Sequence, residues 1–187
     1  MKRFVFVVAL FASVQLVIGQ ESDSNIATPS LSSVTWERLV NAADEPENWL
    51  MYSGTLDSQR FSGLDGIHNR NVGGLELKWA YQIPEIDRAE TTPLVVDGVM
   101  FITEAPSNLV AVDAATGRPY WRYDHELPED LRICCGRNNR GVAILGETLY
   151  MSTLDAHLVG IDARTGNLLW DSEVADYRAG YSKTAAP

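Results

Sequence analysis

Cys134 and Cys135 are the only cysteines of a 187-residue chain, and they are adjacent. Neighbouring Cα atoms lie ~3.8 Å apart across a trans peptide, against the ~4.4–6.8 Å of an ordinary disulfide. A bond between the two thiols closes a strained eight-membered ring. The other reading is a pair of buried free thiols. Neither Cys-x-x-Cys nor Cys-x-x-Cys-His is present, so neither thioredoxin chemistry nor haem attachment is encoded. A polar stretch from Gly136 to Arg140 follows the cysteines, with guanidinium groups at Arg137 and Arg140. Far upstream, Glu90 stands just before a strand-like run. His68, His125 and His157 are scattered, with no metal-ligand spacing. Gly73-Gly74 is not a phosphate loop, and Asp124, Glu126, Glu129 and Asp130 read as a solvated acidic loop.

The elements that must position these groups come from an internal repeat. The run from Leu109 to Trp121 (Leu-Val-Ala-Val-Asp-Ala-Ala-Thr-Gly-Arg-Pro-Tyr-Trp) returns as Leu158 to Trp170, so that Asp113 and Asp162 are 49 positions apart, as are Trp121 and Trp170. A gap-free match with a period in the ~40–50 residue range, built of strand-like units, indicates propeller blades. Leu-Val-x-Val/Ile is a β-branched strand. Asp-Ala-x-Thr-Gly is a tight turn in which Asp accepts backbone hydrogen bonds and Gly closes the loop. The strand then resumes and ends in Trp, whose large apolar face suits packing between blades. Upstream of each copy lies another hairpin: Pro93–Thr103 turns at Asp97-Gly98, and Gly141–Met151 turns at Gly146-Glu147. Each blade is therefore expected to have four strands. Leu77–Tyr81 reads as the last strand of an earlier unit. Two blades cannot bury both outer faces alone, and Ala185-Ala186-Pro187 arrives where another strand pair should start. The expectation is an all-β chain, the N-terminal part of a propeller with about two four-stranded blades.

The formal charge of −10 and the absence of a Lys/Arg run argue against nucleic acid as a partner. Hydrophobic residues at 45% and charged residues at 21% place the chain among globular proteins. The first residues differ. Lys2 and Arg3 precede an uncharged run from Phe4 to Ile18, with small or short residues at Val17-Ile18-Gly19. This pattern is a secretory signal peptide, and the run is short for a membrane span of ~20 residues. Its removal takes the charge from −10 to −12. The expected organisation is a signal at 1–19, a flexible leader at 20–34 rich in Ser, Asn, Thr and Pro, and a partial propeller at 35–187. Export would also let a disulfide persist.

With these residues in place, the chain from about Trp36 onward resembles the pyrroloquinoline quinone (PQQ) dependent alcohol dehydrogenases. Trp49–Gly54, Gln59–Ser62 and Ile67–Val72 are similar to the family's opening segment, and the 49-residue repeat to its tryptophan-docking motif. The resemblance implies an eight-bladed propeller of the quinoprotein type with PQQ and a metal ion near its axis. It implies that Cys134 and Cys135 form a vicinal disulfide lying against one face of PQQ. Arg140, five positions after the second cysteine, matches an arginine that binds a PQQ carboxylate, and a guanidinium fork suits that planar group. Glu90 matches a PQQ-contacting glutamate, and Thr184, in Gly-Tyr-Ser-Lys-Thr-Ala-Ala-Pro, a PQQ-binding threonine.

The family's Ca²⁺ or lanthanide ligands and its catalytic base would lie beyond Pro187. No catalytic residue or metal ligand is therefore expected in this chain. The function implied is oxidation of a small alcohol to an aldehyde, with electrons passed to a cytochrome c; a homodimer stays open for the full-length protein. Two other readings stand beside it. One is a non-catalytic propeller scaffold of the outer-membrane assembly type, which would have no use for the Cys pair, Arg140 and Glu90. The other is a membrane-bound sugar dehydrogenase, against which the Cys pair and the lack of spanning helices count.

Overall fold

The computed structural model describes residues 31–84, 88–134 and 136–187. The signal at 1–19 and most of the leader lie outside the described residues. Among the described residues, eight strands form two four-stranded antiparallel sheets. The first holds β1 (Leu94–Val96), β2 (Val99–Glu104), β3 (Asn108–Asp113) and β4 (Pro119–Asp124), in that order. The second holds β5 (Ala143–Leu145), β6 (Thr148–Ser152), β7 (His157–Asp162) and β8 (Leu168–Glu173). Every neighbour in each sheet is also the neighbour in sequence, as in a propeller blade. The repeat extends to irregularities: the ladder slips between Ala111 and Val112 in one blade and between Gly160 and Ile161 in the other.

The turn chemistry is what the motif requires. Asp113 Oδ1 accepts from the backbone N–H of Ala115 and Thr116 and from the Thr116 hydroxyl. Asp162 Oδ1 does the same for Arg164 and Thr165. Each turn then receives a tryptophan from the preceding unit. A Cβ added at Gly166 would lie 2.5 Å from the Trp121 ring, and one at Gly117 would lie 2.4 Å from the Trp79 ring. Trp121 Nε1 donates to Ala163 O and Trp79 Nε1 to Ala114 O, both at 3.2 Å.

Which residues are buried follows from the two-residue period of a strand. Val99 and Phe101 of the first blade share one core with Leu149 and Met151 of the second. The repeat equivalents are Thr148 and Tyr150, which face the other way and are half-buried. Opposite parities meet because the two blades stack face to back. The far face of the first blade buries Ile102, Val110 and Val112 against Tyr81 and Met100. The outermost strand β8 is exposed throughout, Trp170 included.

Two boundaries differ from expectation. Leu31 and Val34, assigned to the leader, are buried at 4% and 0% exposure. Val34 exchanges two backbone hydrogen bonds with Gly146, so the folded body starts before residue 35. Helix α1 (Trp36–Val40), capped by the Thr35 hydroxyl, follows directly, and Trp49 then bridges Val95 of β1. The other difference is Leu77–Tyr81, which forms no strand. Its backbone has no sheet to join, because the first sheet begins only at Leu94. Trp79 still docks as the last strand of an earlier blade would dock it.

Candidate functional site

The connection from β4 to β5 carries the cysteines and Arg140, and Asn139 pins it to both blades. Its side chain donates to Ser152 O of β6 at 2.8 Å, and its carbonyl accepts from the Thr103 hydroxyl of β2 at 3.1 Å. Its Oδ1 also accepts from Gly141 N–H. Gly141 has φ +139, and a Cβ there would lie 3.0 Å from Thr92 O, so only glycine lets the chain pass. Next to it, Arg140 is held by its backbone on both sides. Its N–H donates to Thr184 O at 2.8 Å, and its carbonyl accepts from Thr92 N–H at 2.9 Å.

This anchoring brings together Glu90, Arg140 and Thr184, three of the residues picked out in the sequence. Arg140 Nη2 pairs with Glu90 Oε2 at 2.7 Å, and Nη1 donates to the Thr184 hydroxyl. The Glu90–Arg140 pair is partly open to solvent, at 34% and 38% side-chain exposure, so the fork remains approachable. Arg88 Nη1 stands 4.0 Å from Glu90 Oε1 and adds positive charge. Arg137 is exposed. Cys134 is exposed and disulfide-bonded, which removes the buried free thiol reading for it. Cys135 lies outside the described residues.

One participant was not legible beforehand. Asn138 is buried at 1% exposure and donates through Nδ2 to Glu90 Oε2. Only its place between the cysteines and Arg140 hinted at a role. A buried amide beside a carboxylate compensates a charge that would otherwise be costly next to an anionic ligand. The residues therefore fit a planar polycarboxylate such as PQQ. Arg140 is a cation with a planar fork, Thr184 supplies a hydroxyl, and Glu90 is already neutralised by its partners.

A second polar cluster joins the blades. His125 and Asp155, both 6% exposed at the side chain, pair at 3.1 Å. The Tyr123 hydroxyl lies 3.1 Å from His125 Nδ1, and the His157 ring is centred 6.1 Å from that of His125. His157 Nδ1 meets Asp171 Oδ1 at 2.6 Å. Two histidines 32 positions apart in the chain are thus neighbours, which only the stacking of blades reveals. Among the described residues, no group of three or more His, Cys, Asp or Glu is arranged to hold a metal ion. The acidic loop is not wholly solvated either: Asp130 accepts from the Tyr177 hydroxyl at 2.7 Å and pairs with Arg178 at 3.2 Å.

Fold and site together define a blade-repeat propeller in which Glu90, Arg140 and Thr184 converge on the loop that joins its two blades. Residues 49–172 match the family model "Glucose/ethanol/alcohol dehydrogenase, beta-propeller domain" of PQQ proteins. The chain belongs to this family. It is 36% identical over 180 residues to the quinoprotein ethanol dehydrogenase of Pseudomonas putida, covering 95% of this chain and 29% of that protein. Among solved structures it superposes on the quinohemoprotein alcohol dehydrogenase ADH-IIG of Pseudomonas putida HK5 with TM-score 0.78 and 40% identity, covering 84% of this chain and 23% of the other. A europium-containing methanol dehydrogenase gives TM-score 0.75 and 30% identity, covering 81% and 27%. The chain thus spans less than a third of the length of these relatives.

Proposed function

We propose that the protein is a periplasmic quinoprotein dehydrogenase that oxidises an alcohol to an aldehyde with PQQ and a metal ion. This chain supplies part of the PQQ pocket. The observation that carries the reading is the convergence of Glu90, Arg140 and Thr184, from three distant stretches of sequence, beside the cysteine loop. The chemistry the cofactor supplies when bound is acceptance of two electrons from the alcohol carbon.

This chain's residues bind and orient. Arg140 offers a cationic, bidentate partner to a carboxylate, and its backbone is fixed by Thr92 and Thr184 so that the fork does not swing away. The Thr184 hydroxyl steadies one arm of the fork, while Glu90 steadies the other. A Cys134–Cys135 disulfide would present a flat, apolar wall to one ring face. The ion would be Ca²⁺ or a lanthanide, and the electron acceptor a cytochrome c. A cleaved signal at 1–19 delivers the protein to the periplasm, ahead of a leader and the propeller.

The test is dye reduction by the full-length protein loaded with PQQ and either Ca²⁺ or a lanthanide, over short and long alcohols. Alcohol-dependent turnover with one of the ions is expected. No turnover with either ion across the series overturns the proposal.

A further inference from the structure

Glu90 and Arg140 sit on two segments, 90–92 ahead of β1 and 138–140 ahead of β5, and these segments are laced in one register. At one end Asn138 Nδ2 donates to Glu90 Oε2, and at the other Thr92 N–H donates to Arg140 O at 2.9 Å. Between them, Thr91 and Asn139 are bridged by a residue of another element, Thr103 near the end of β2. Its hydroxyl lies 2.9 Å from the Thr91 hydroxyl and 3.1 Å from Asn139 O, and its N–H donates to Thr91 Oγ1 at 3.1 Å. Thr103 is 1% exposed, so solvent does not compete for these bonds.

The direction of each bond follows from counting protons. A hydroxyl has one proton to donate and two lone pairs to accept with. Asn139 O only accepts, so the Thr103 O–H points at it. The contact between the two hydroxyls must then run the other way, with Thr91 O–H donating to Thr103 Oγ1. The chain is Thr103 N–H to Thr91, Thr91 O–H to Thr103, and Thr103 O–H to Asn139. Every donor has one acceptor, and turning either hydroxyl breaks a bond elsewhere. Such a fully satisfied buried network fixes the groups it joins.

We infer that Thr103 and Thr91 are positioning residues of the cofactor pocket, whose hydroxyl chain sets the spacing between the segment that carries Glu90 and the one that carries Arg140. The inference rests on the PQQ reading above. Neither hydroxyl has to touch the ligand. Glu90 adjoins Thr91 and Arg140 adjoins Asn139, so a shift at the bridge moves the carboxylate against the guanidinium and disturbs their 2.7 Å pair. An arginine fork engages a planar carboxylate in a restricted geometry. The cost of losing the bridge therefore falls on cofactor affinity as well as on the fold.

The experiment uses the full-length protein as wild type, Thr103→Val, Thr103→Ser, Thr91→Val and Gly146→Ala. PQQ affinity is measured by equilibrium dialysis with absorbance, and urea midpoints are recorded without PQQ. Thr103→Val keeps the shape and removes the hydroxyl, and it should bind PQQ about fivefold more weakly, the net worth of one hydrogen bond. Its urea midpoint should fall too, because Asn139 O loses its donor. Thr103→Ser keeps the chain of protons and should bind within twofold of wild type. Thr91→Val cuts the same chain at a half-buried position and should show the same weakening; it serves if Thr103→Val does not fold. Gly146→Ala strains the turn at the far end of β5, so it should lower the midpoint and leave PQQ affinity within twofold of wild type. Wild type binding PQQ while the folded valine variants bind within twofold of it overturns the positioning role alone. Thr103→Ser failing as badly as Thr103→Val overturns the hydroxyl as the operative group. Gly146→Ala losing as much affinity as the valine variants ties the loss to stability and overturns positioning. Wild type that binds no PQQ overturns the cofactor reading and this inference with it.

Discussion

The seam before the first blade and the seam between the two blades use the same packing device and different charges. In both, a tryptophan ring lies on a turn glycine and its N–H reaches an alanine carbonyl at 3.2 Å. Two residues past each tryptophan stands a tyrosine, Tyr81 in one seam and Tyr123 in the other, facing an acid of the next unit. Burial first, and then the Glu104 carboxylate, raise the Tyr81 hydroxyl. Burial first, and then the charges of Asp171 and Asp155, push Tyr123 up to about 12. The acids are compensated differently. Glu104, fully buried, pairs with Arg122 of its own blade, a group that stays charged at any working pH. Asp155 pairs with His125, which comes from the other blade. Steric docking repeats because a ring against a turn has one solution. The charge pair beside it is free to differ, so long as the buried acid has a partner.

The largest effect should come from breaking the shared device. Gly117→Ala and Gly166→Ala each push a Cβ to about 2.4–2.5 Å from an indole ring at a positive φ. Overpacking and left-handed strain add, and each variant should lose about 4 kcal/mol in urea unfolding. Gly146→Ala is the control: its φ is +66, but nothing lies within 4 Å of the added Cβ, so about 1 kcal/mol of strain is all it should cost. Equal losses at Gly146 and Gly166 would show that backbone strain, not docking, makes these glycines necessary.

A middle-sized effect should separate the two charge pairs. Arg122→Met leaves Glu104 buried with Oε1 already lacking a partner, and should cost about 2 kcal/mol after allowing for the partial exposure of Arg122. His125→Leu should cost less, because Asp155 keeps the Thr153 hydroxyl as a donor. The two losses are read from urea titrations at neutral pH. A larger loss for His125→Leu would reverse the ranking and make the cross-blade pair the stronger support.

The motif residues were legible because a turn is local: Asp113, Thr116 and Gly117 need only each other to declare a hairpin, and a second copy 49 positions on excludes chance. Glu90, Arg140 and Thr184 were legible only through family spacing, since nothing local links residues so far apart. Asn138 and Asn139 were passed over because an asparagine pair in a polar loop reads as solvent-facing. Their burial comes from the two blades closing over them. The same holds for Leu31 and Val34, apolar residues in a Ser- and Thr-rich stretch, whose partners lie more than a hundred residues away for Val34. His125 and His157 became neighbours through blade stacking alone.

The smallest effect is a pH dependence confined to the seam that holds histidines. His157 is faced by Asp171 at 2.6 Å, by Asp155 and Glu173 through charge, and by the ring of His125. Burial opposes its protonated form, but the Asp171 hydrogen bond and the surrounding carboxylates outweigh burial, and the net shift is upward from 6.5. A raised folded value means that the folded state holds the proton more tightly than the unfolded chain does. The stabilisation is fully present below about 6.5 and is lost as pH rises through the folded value. With the His157 side chain 27% exposed, solvent screening limits it to about 0.5 kcal/mol. Urea midpoints taken from pH 6 to pH 8 should therefore fall slightly for the wild type, and His157→Gln should flatten that slope while Arg122→Met leaves it unchanged. A slope that survives His157→Gln would move the titration to another group and remove the histidine seam as its source.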